Sequence, residues 1–598
     1  MKPQFALALV ATIVLTLASQ AQAQSVGLLR VVVNSNQDTV AKDQIITLRE
    51  AILLVNGQMK MEDLSDRERT QVSRPVMSGE NYKGNPVSRI EFQLPADQTT
   101  IRLRSALPNI TKTGLVIDGT NSFNVANSIA GFTITATESS NAVEAPTIAI
   151  IPDEKLSTTR SENQNETDQH RDELNGLRPT GGHRGFTITS SGVTVKKLAI
   201  AGFTTRHRST STEPPSDIFI TAAPNLDVRR ETLESDRVPQ DIVIENNWLG
   251  RLPQGTQTPM KSAFGVYVFN GNRVTIRGNT IADHDGSGII TSIQSHQFKI
   301  HNNLVEKNGF AGMPDALRIE GDIAGGEIYQ NRIQNNAGSG VYVFNPKGST
   351  KIYSNQLQNN SQRYRRAAIY LTGINHEVRD NQITQPSGTG VVVAAYPSSY
   401  GNQISNNQFI GVQGLPIDLV SQSNTHPNDY QNGDGTNIRT DSRERGERSG
   451  NAGINAPTFL SPEFYISNVD GSIELAGTTL PNADIEIYKV SATSDMTVNG
   501  MNSATRVATV KSSTDDRFSI KLTGLKPGDR LAATVSTPNF GTSEMTRPVM
   551  IKALPGYQVS VPPVPVIPPV VEEPPTPIVV LPPVRVPTPL RPVQPKLW

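Results

Sequence analysis

The sequence has no cysteine, few aromatic residues and no excess charge of either sign. Of its 598 residues none is Cys, which excludes disulfide bonds, thiolate nucleophiles and cysteine-ligated zinc or iron–sulfur sites. Aromatic residues make up only 5%, whereas Gly (46) and Pro (41) are frequent, which favours a turn-rich extended architecture. Because 55 basic side chains balance 55 acidic ones, no overall field attracts nucleic acid, and nucleic-acid binding is not predicted.

The sequence also lacks a hydrophobic run long enough to span a bilayer. An apolar run from Phe5 to Leu17 follows Lys2, and Ala21-Gln22-Ala23 supplies the small residues that signal peptidase requires. This run would span only ~20 Å as a helix, against a hydrocarbon core of ~30 Å. Residues 1–23 are therefore predicted to be a cleaved signal peptide, and the mature chain is expected to be secreted or held at the cell surface, with no transmembrane segment.

An internal repeat dominates the middle of the chain. The pattern apolar-x-x-Asn-x-apolar occurs seven times at spacings of 24 to 32 residues, with a second short apolar strand between successive copies. Such units cannot bury an apolar face alone, so they must stack, and a stack of short strands is a parallel β-helix. The repeated asparagines are Asn247, Asn279, Asn303, Asn331, Asn355, Asn381 and Asn407.

The repeated asparagine has a physical reason. A carboxamide can donate a hydrogen bond to the neighbouring coil on one side and accept one from the coil on the other side. Because a buried unpaired amide costs ~1–3 kcal/mol, such a column is favourable only if it is continuous. The seven asparagines are therefore predicted to form an unbroken internal ladder.

The start of the chain predicts a short capping helix. Thr47 and Glu50 form a capping box, apolar residues follow at helical spacing, and Gly57 can end the helix at residue 56. Three polar stretches without apolar periodicity, at about 58–88, 153–184 and 204–240, are interpreted as loops or locally disordered insertions.

Several segments resemble one family. Residues 46–52, Ile-Thr-Leu-Arg-Glu-Ala-Ile, are similar to the CSLREAI motif of exported bacterial right-handed β-helix proteins with a pectin-lyase-like fold, with Ile and Thr in place of the first Cys and Ser. Further similar segments follow in the same order at residues 92–95, 105–111, 116–119 and 246–250. The resemblance covers most of residues 26–552. It implies an all-β, right-handed parallel β-helix over residues 24–425 but carries no shared catalytic signature.

The C-terminal part has three predicted regions. Residues 426–455 form a polar junction, and residues 456–552 alternate at the spacing of a small immunoglobulin-like β-sandwich, a module that follows such helices in the family. Residues 553–598 form a disordered proline-rich tail, since 15 of the 45 residues from Leu554 to Trp598 are Pro. The tail is either a tether or ligand for a surface or envelope partner, or a linker without a specific partner.

One column of side chains is the candidate glycan-binding surface. If the flanking apolar residues of the second strand point inward, the middle residue points outward, which places Tyr267, Arg318, Tyr342 and Tyr370 in one column. Aromatic faces and a guanidinium on a flat sheet can stack on sugar rings and bind their hydroxyl or carboxylate groups. The alternative is that the tyrosines only stabilise the sheet through cross-strand contacts.

A polysaccharide lyase or hydrolase is the alternative function. Residues 314–322 concentrate acidic side chains near Arg318, and only Arg318 and Glu320 are expected to share the outward face. Pectate-lyase-like β-helices, which the chain resembles in fold, use acid-bound calcium and a basic residue that abstracts a sugar proton. His284, between two aspartates, could act as a base or metal ligand, but it is interpreted as a solvated turn residue.

Calcium is the candidate cofactor, and no other is expected. The stretch containing Asn428, Asp429, Asn432, Asp434 and Asn437 is rich in oxygen donors, which suit calcium. It lacks the register of a calcium-binding loop, so a polar junction loop remains the alternative. The sequence thus predicts an exported protein with a structural, adhesive or glycan-binding role and extracellular or cell-wall polysaccharide as its partner. No catalytic residue is assigned, and the balance favours a non-enzyme.

Overall fold

The computed structural model describes residues 27–74, 87–122, 144–156, 177–179, 184–204, 214–222, 238–344, 346–385, 387–395, 398–421, 431–439, 446, 448–491 and 501–554. The predicted signal peptide and the tail beyond residue 554 lie outside these residues. Within the described part, no helix has both the length and the apolar character needed to cross a membrane.

Three long sheets, one strand per coil, form a right-handed parallel β-helix, as the sequence predicts. In sheet A the order is β2 (Val72–Ser73), β1 (Arg30–Val33), β3 (Ser88–Phe92), β5 (Leu115–Asn121), β10 (Thr194–Lys196), β13 (Val243–Glu245), β16 (Thr275–Arg277), β19 (Lys299–His301), β22 (Gly326–Tyr329), β25 (Thr350–Tyr353), β28 (Glu377–Arg379) and β31 (Gln403–Ser405). Only β2 in sheet A is antiparallel to its neighbour.

Sheets B and C complete each coil. Within the β-helix, sheet B contains β4 (Thr100–Leu103), β6 (Ile148–Pro152), β11 (Leu198–Ile200), β14 (Trp248–Leu249), β17 (Thr280–Ala282), β20 (Leu304–Glu306), β23 (Arg332–Gln334), β26 (Gln356–Gln358), β29 (Gln382–Thr384) and β32 (Gln408–Ile410). Sheet C contains β9 (Arg184–Ile188), β12 (Ser216–Ile220), β15 (Val266–Asn270), β18 (Ile289–Gln294), β21 (Leu317–Ile319), β24 (Val341–Val343), β27 (Ile369–Thr372), β30 (Val391–Ala394) and β33 (Ile417–Leu419).

The apolar residue of each repeat forms the core. In sheet A the first apolar position of every repeat pairs in register with the same position of the next coil, and none of these side chains is more than 2% exposed. Because side chains alternate along a strand, the two neighbours of each core residue point outward. The members of this column are Ile244, Ile276, Ile300, Ile328, Ile352, Val378 and Ile404.

The seven repeated asparagines lie in one buried ladder at the bend between sheets A and B. The Nδ2 of each asparagine donates to the Oδ1 of the asparagine in the following coil, over 2.9–3.1 Å. The residue before each asparagine has a positive φ of 51–62°. A non-glycine residue in this conformation costs energy, which the ladder bonds offset.

A second ladder, which the sequence interpretation missed, lies at the bend between sheets B and C. Asn308 donates to Asn336 over 3.0 Å, and Asn336 donates to Asn360 over 2.9 Å. These three asparagines each lie five residues after a member of the first ladder. The signal was therefore present in the sequence as a second phased asparagine.

The N-terminal capping helix forms as predicted. Helix α1 (Leu48–Asn56) begins after Thr47, whose side chain accepts from Glu50 N, while the Glu50 carboxylate accepts from Thr47 N over 2.9 Å. Gly57 adopts a left-handed conformation (φ 75°) and ends the helix. The buried face of α1 covers the first coil of the β-helix.

Parts of the stretches interpreted as loops or insertions are ordered elements. Residues 58–74 contain the 3-10 turn Met61–Asp63, the short helix α2 (Asp66–Arg69) and β2. Helix α2 has a capping box at Ser65 and Glu68, a local signal that outweighs the absence of apolar periodicity.

The other two stretches also contribute strands. β7 (Glu154–Leu156) and β8 (Leu177–Pro179) form an antiparallel pair, and β12, interpreted as part of a loop, is a full member of sheet C. All five residues of β12 are buried, and its inward residues Ile218 and Ile220 contact neighbouring coils. A run this short between polar segments shows too little periodicity to predict a strand.

A C-terminal β domain packs on the end of the β-helix. It contains β34 (Thr458–Phe459), β35 (Glu463–Ile466), β36 (Ile473–Thr478), β37 (Asp484–Ser491), β38 (Ser503–Lys511), β39 (Arg517–Leu522), β40 (Arg530–Thr537), β41 (Gly541–Thr542) and β42 (Val549–Ala553), preceded by the 3-10 segment Gly450–Gly453. β34, β36 and β39 form a separate sheet, whereas β38 continues sheet B. Whether this domain is of the immunoglobulin-like type stays a prediction.

The C-terminal domain covers the last strand of each of the three sheets. In sheet A, Ile404 N donates to Thr542 Oγ1 over 2.7 Å; in sheet B, Phe409 pairs with Ala504; in sheet C, Leu419 N donates to Glu544 over 3.1 Å. Unpaired strand edges promote aggregation, so this domain protects the end of the β-helix.

Candidate functional site

The predicted outward column runs along sheet C. Cross-strand pairs join Tyr342 to Arg318 on one side and to Tyr370 on the other. Tyr267 stands in the same column, separated from Arg318 by one coil. Strand pairing therefore brings the four predicted glycan-binding residues into a single row.

Two residues of this row are buried, which corrects the expectation of exposed ring faces. Tyr342 is 1% exposed and Tyr370 is 3% exposed, and their rings stack on each other with centroids 5.1 Å apart and planes at 10°. They belong to an apolar cluster with Val392 and Val420 on the outer face of sheet C. In the described structure these two rings stabilise the sheet, which was the alternative interpretation.

A segment that is distant in sequence returns over the C-terminal end of sheet C, next to this buried cluster. Gln431 O accepts a hydrogen bond from Ala367 N over 2.9 Å. Asn432 Oδ1 accepts from Thr389 N over 2.8 Å, and Gly435 N donates to Asp418 over 3.0 Å. Residues 431–437 therefore cross the C-terminal end of sheet C.

A partly exposed group of side chains remains in the middle of sheet C. It consists of Tyr267, Phe269, Arg318, Glu320 and Phe344, all of intermediate exposure, and is called the sheet C patch here. The rings of Tyr267 and Phe269 lie 6.3 Å apart, and Phe344 packs on buried Tyr342 at 6.0 Å. The patch thus places aromatic rings on two sides of an Arg–Glu pair.

Arg318 is fixed by contacts on several sides. Its Nη1 lies 3.3 Å from Asp315, its Nη2 lies 2.5 Å from Glu320, and its guanidinium lies 4.6 Å from the centre of the Tyr342 ring. Asp315 is fully buried and also binds Arg366 at 2.8 Å. The Nε of Arg318 is buried without a hydrogen-bond partner among the described residues, so one donor of this guanidinium is unused.

Burial and neighbouring charges set the protonation states in this region. Burial raises the pKa of Tyr342 to about 12, and burial also raises the pKa of Tyr267 above its usual value. Burial alone would lower the pKa of Arg318, but Glu320 and Asp315 raise it above its usual value. At neutral pH the two phenols are therefore protonated and the guanidinium is charged.

His284 is not the solvated turn residue that the sequence interpretation expected. It is 1% exposed, and its Nε2 lies 2.9 Å from Asp217, which also accepts a hydrogen bond from Ser262 over 2.5 Å. Its Nδ1 lies 2.8 Å from Asn308, the first member of the second ladder. His284 therefore lies buried at the end of that ladder, where it is not accessible to a substrate.

The predicted calcium segment is placed only in part. Asn428 and Asp429 lie outside the described residues, whereas Asn432, Asp434 and Asn437 bind Thr389, Ser421 and Glu544 respectively. The described part of the chain contains no group of three or more His, Asp or Glu arranged to hold a metal ion. Calcium binding by this segment stays a prediction.

Comparison with known proteins identifies similarity over part of the chain. Residues 184–368, less than a third of the chain, match the family model described as "Periplasmic copper-binding protein (NosD)". No curated protein matches the sequence.

Several solved structures are similar to the chain at low identity. A point mutant of the periplasmic alginate epimerase AlgG is 13% identical, with 59% of this chain and 67% of that chain covered and a TM-score of 0.31. The Azotobacter vinelandii mannuronan C-5 epimerase AlgE4 A-module is 15% identical (59% and 91% covered, TM-score 0.28). PfbA, a surface adhesin of Streptococcus pneumoniae, is 12% identical (54% and 81% covered, TM-score 0.31). At these TM-scores the similarities carry no argument about the fold or the function of this chain.

The described histidines do not form a copper site. Copper in proteins is held by Cys, Met and His side chains in compact sets. His284 and His376 are buried in hydrogen bonds within the fold, His296 pairs with Asp322 at 2.7 Å, and His301 stacks on Tyr329 at 4.6 Å. The histidines of the described part are therefore engaged separately, and no step of the proposed function involves copper.

Proposed function

We propose that this chain is an exported β-helix protein that binds polysaccharide on the sheet C patch. The observation that carries the proposal is the group of partly exposed rings of Tyr267, Phe269 and Phe344 around the Arg318–Glu320 pair. Aromatic rings next to sugars contribute apolar contact, while fixed charged groups bind hydroxyl groups with defined geometry. Because the patch lies on a rigid sheet, little conformational entropy is lost on binding.

Binding is favoured over catalysis by the state of the polar groups. Two carboxylates, Asp315 and Glu320, are both paired with Arg318, and the phenol of Tyr342 is protonated because its pKa is about 12. A lyase or hydrolase needs a group that can accept or donate a proton near neutral pH. We expect a flat absorbance trace at unsaturated-uronate wavelengths when the protein is incubated with acidic polysaccharides and calcium. A rising trace would support the lyase alternative.

Export is the second part of the proposal. The apolar run after Lys2 and the small residues at Ala21 and Ala23 support a cleaved signal peptide, and a chain without cysteine can fold outside the cytoplasm without disulfide formation. The proline-rich tail then serves as a tether or as the ligand of an envelope partner.

The glycan proposal is tested by removing two of the partly exposed rings. The double variant Tyr267→Ala/Phe269→Ala should lose about tenfold or more in affinity for the polysaccharide that the unmodified chain retains best in a panel of neutral and acidic polymers, since each ring contributes ~0.5–1.5 kcal/mol. Retardation in affinity gel electrophoresis provides the measurement, and thermal unfolding checks that the variant is folded.

The matched control is Tyr329→Ala/Tyr353→Ala. It removes two rings of sheet A, away from the patch, that stack on each other with centroids 5.0 Å apart. Its retention should be unchanged. Equal loss in both variants, or no retention of any polymer by the unmodified chain, would contradict binding at the sheet C patch.

A further inference from the structure

A turn between sheets B and C presents a cluster of arginines. Residues 363–366 read Arg-Tyr-Arg-Arg. The turn is held against the preceding coil because Arg363 N and Tyr364 N both donate to Ala337 O, over 3.0 and 3.2 Å. The backbone of the turn is thus anchored while its side chains remain available at the surface.

Two exposed aromatic rings belong to the same surface. Phe310 is 43% exposed and Tyr364 is 40% exposed. Arg363 joins them, because its Nη1 donates to Phe310 O over 2.9 Å and its guanidinium lies 4.8 Å from the centre of the Tyr364 ring. Phe310, Arg363, Tyr364 and Arg365 form one contiguous surface, which is called the turn patch here.

The turn patch carries positive charge that neighbouring acids do not cancel. Arg363 and Arg365 are exposed, and no described carboxylate is in an ion pair with either of them. The nearby acid, Asp315, is fully buried and already shared between Arg366 and Arg318. The patch therefore offers two guanidinium groups that no described acid neutralises, beside exposed rings.

Asp315 connects the turn patch to the sheet C patch. Its Oδ1 binds Arg366, whose guanidinium lies 5.2 Å from the Tyr364 ring, and its Oδ2 binds Arg318. A chain of direct contacts thus leads from the rim of sheet C to its centre. Because Asp315 is fully buried, these contacts join the two patches beneath the surface.

We infer that the turn patch binds the carboxylate or sulfate groups of an acidic polysaccharide. Guanidinium groups bind planar or tetrahedral oxyanions through paired hydrogen bonds, and the adjacent rings contact the sugar to which the anion is attached. The inference rests on the proposed function and specifies the class of glycan.

An acidic polysaccharide fits better than nucleic acid because the positive charge is local. The formal net charge of the whole chain is +0, and a nucleic-acid backbone requires a longer track of basic residues. A short acidic segment of a polymer held elsewhere on sheet C requires only the two guanidinium groups.

The test compares the full chain with Arg363→Gln/Arg365→Gln on polygalacturonate, dextran sulfate and neutral dextran. Retention on the acidic polymers should fall roughly tenfold, while any retention on neutral dextran should be unchanged. Loss on polygalacturonate alone identifies carboxylate as the ligand, and loss on dextran sulfate alone identifies sulfate. The matched control Arg102→Gln/Arg332→Gln removes two exposed positive charges from sheet B and should change retention less than twofold.

Several outcomes would overturn the inference. An equal loss in the control would show a general charge effect, and unchanged retention of the turn-patch variant would remove the site. Tighter binding of single-stranded oligodeoxythymidylate than of either acidic polymer would favour nucleic acid instead. Loss in the turn-patch variant with no loss in Tyr267→Ala/Phe269→Ala would reject the proposed sheet C site and keep the anion site.

Discussion

At the scale of single residues, the asparagine ladder shows why one residue type recurs. In each coil the Nδ2 of the asparagine also donates to a backbone carbonyl, and its Oδ1 also accepts from a backbone N–H of the preceding coil, which is that of Leu198 for Asn247 and that of the preceding asparagine for the others. Every polar atom at the buried bend is therefore paired. A residue with only a donor or only an acceptor could not satisfy both neighbouring coils.

Replacing a central member of the ladder should be strongly destabilising. In Asn331→Ala, the buried Asn303 N loses its acceptor, and Asn303 Nδ2 and Asn355 Oδ1 each lose one of their hydrogen bonds. We expect the free energy of unfolding to fall by roughly 3 kcal/mol or more, measured by urea denaturation. The neighbouring exposed Arg332→Ala should change it by about 0.5 kcal/mol at most. Similar values for the two variants would show that the ladder does not hold the coils.

His376 should make stability depend on pH. It is fully buried, its Nδ1 accepts from Thr350 N over 3.1 Å, and its Nε2 donates to Thr372 O over 3.0 Å, so the fold requires the neutral ring. Burial lowers the pKa of His376 to about 4, whereas an unfolded histidine titrates near ~6.5. The unfolded chain therefore takes up the proton first, and stability is lost as pH falls from ~6.5 towards 4.

The variant His376→Gln should remove this dependence. Between pH 7.5 and 5.0 the unmodified chain should lose roughly 2 kcal/mol of unfolding free energy more than the variant, measured by urea denaturation at both pH values. His296→Gln, at a side chain that is 30% exposed, serves as the control and should keep the pH dependence. Parallel pH curves for the unmodified chain and His376→Gln would contradict this assignment.

At the scale of elements, the sequence predicted the strands and the helix whose formation depends on residues close together in the chain. The apolar-x-x-Asn pattern located the strands on both sides of the first ladder, and the capping box located α1. β12 was missed because Ile218 to Ile220 is too short a run to show a period. Cross-strand register follows from the repeat, which is why the sequence places Tyr267 and Arg318 in one row.

The candidate site was less predictable because it depends on contacts that are distant in sequence. The burial of Tyr342 and Tyr370 accompanies the return of residues 431–437 over sheet C. Phe344 follows β24 at a position that does not repeat, and Phe269 lies two residues after the outward position of β15, so the repeat predicts neither ring. Arg366 reaches Asp315 across 51 residues, which no local pattern shows.

At the scale of the whole molecule, one glutamate of the C-terminal domain binds both the end of sheet C and residues 431–437. The Glu544 carboxylate accepts hydrogen bonds from Leu419 N at the end of sheet C, and from both the backbone N and the Nδ2 of Asn437. Three parts of the chain that are far apart in sequence therefore meet at a single side chain.

Glu544→Ala should loosen this junction. The backbone N–H groups of Leu419 and Asn437 lose their acceptor, so we expect faster amide hydrogen exchange at these two residues and a loss of about 2 kcal/mol in the free energy of unfolding. Glu474→Ala, at an exposed position of the same domain where the side chain accepts from Ser519, is the control. Unchanged exchange at Leu419 would show that the junction is held elsewhere.

Because the hydrogen bonds between the asparagines all have the same direction, the β-helix can be lengthened or shortened by whole coils. Each coil presents to the next the same pattern of donors that it receives from the previous one, and the two ends are closed by different structures, α1 and the C-terminal domain. Gain or loss of one whole repeat would therefore leave both closures intact. The length of the β-helix along its axis can therefore change in steps of one strand spacing, ~4.8 Å.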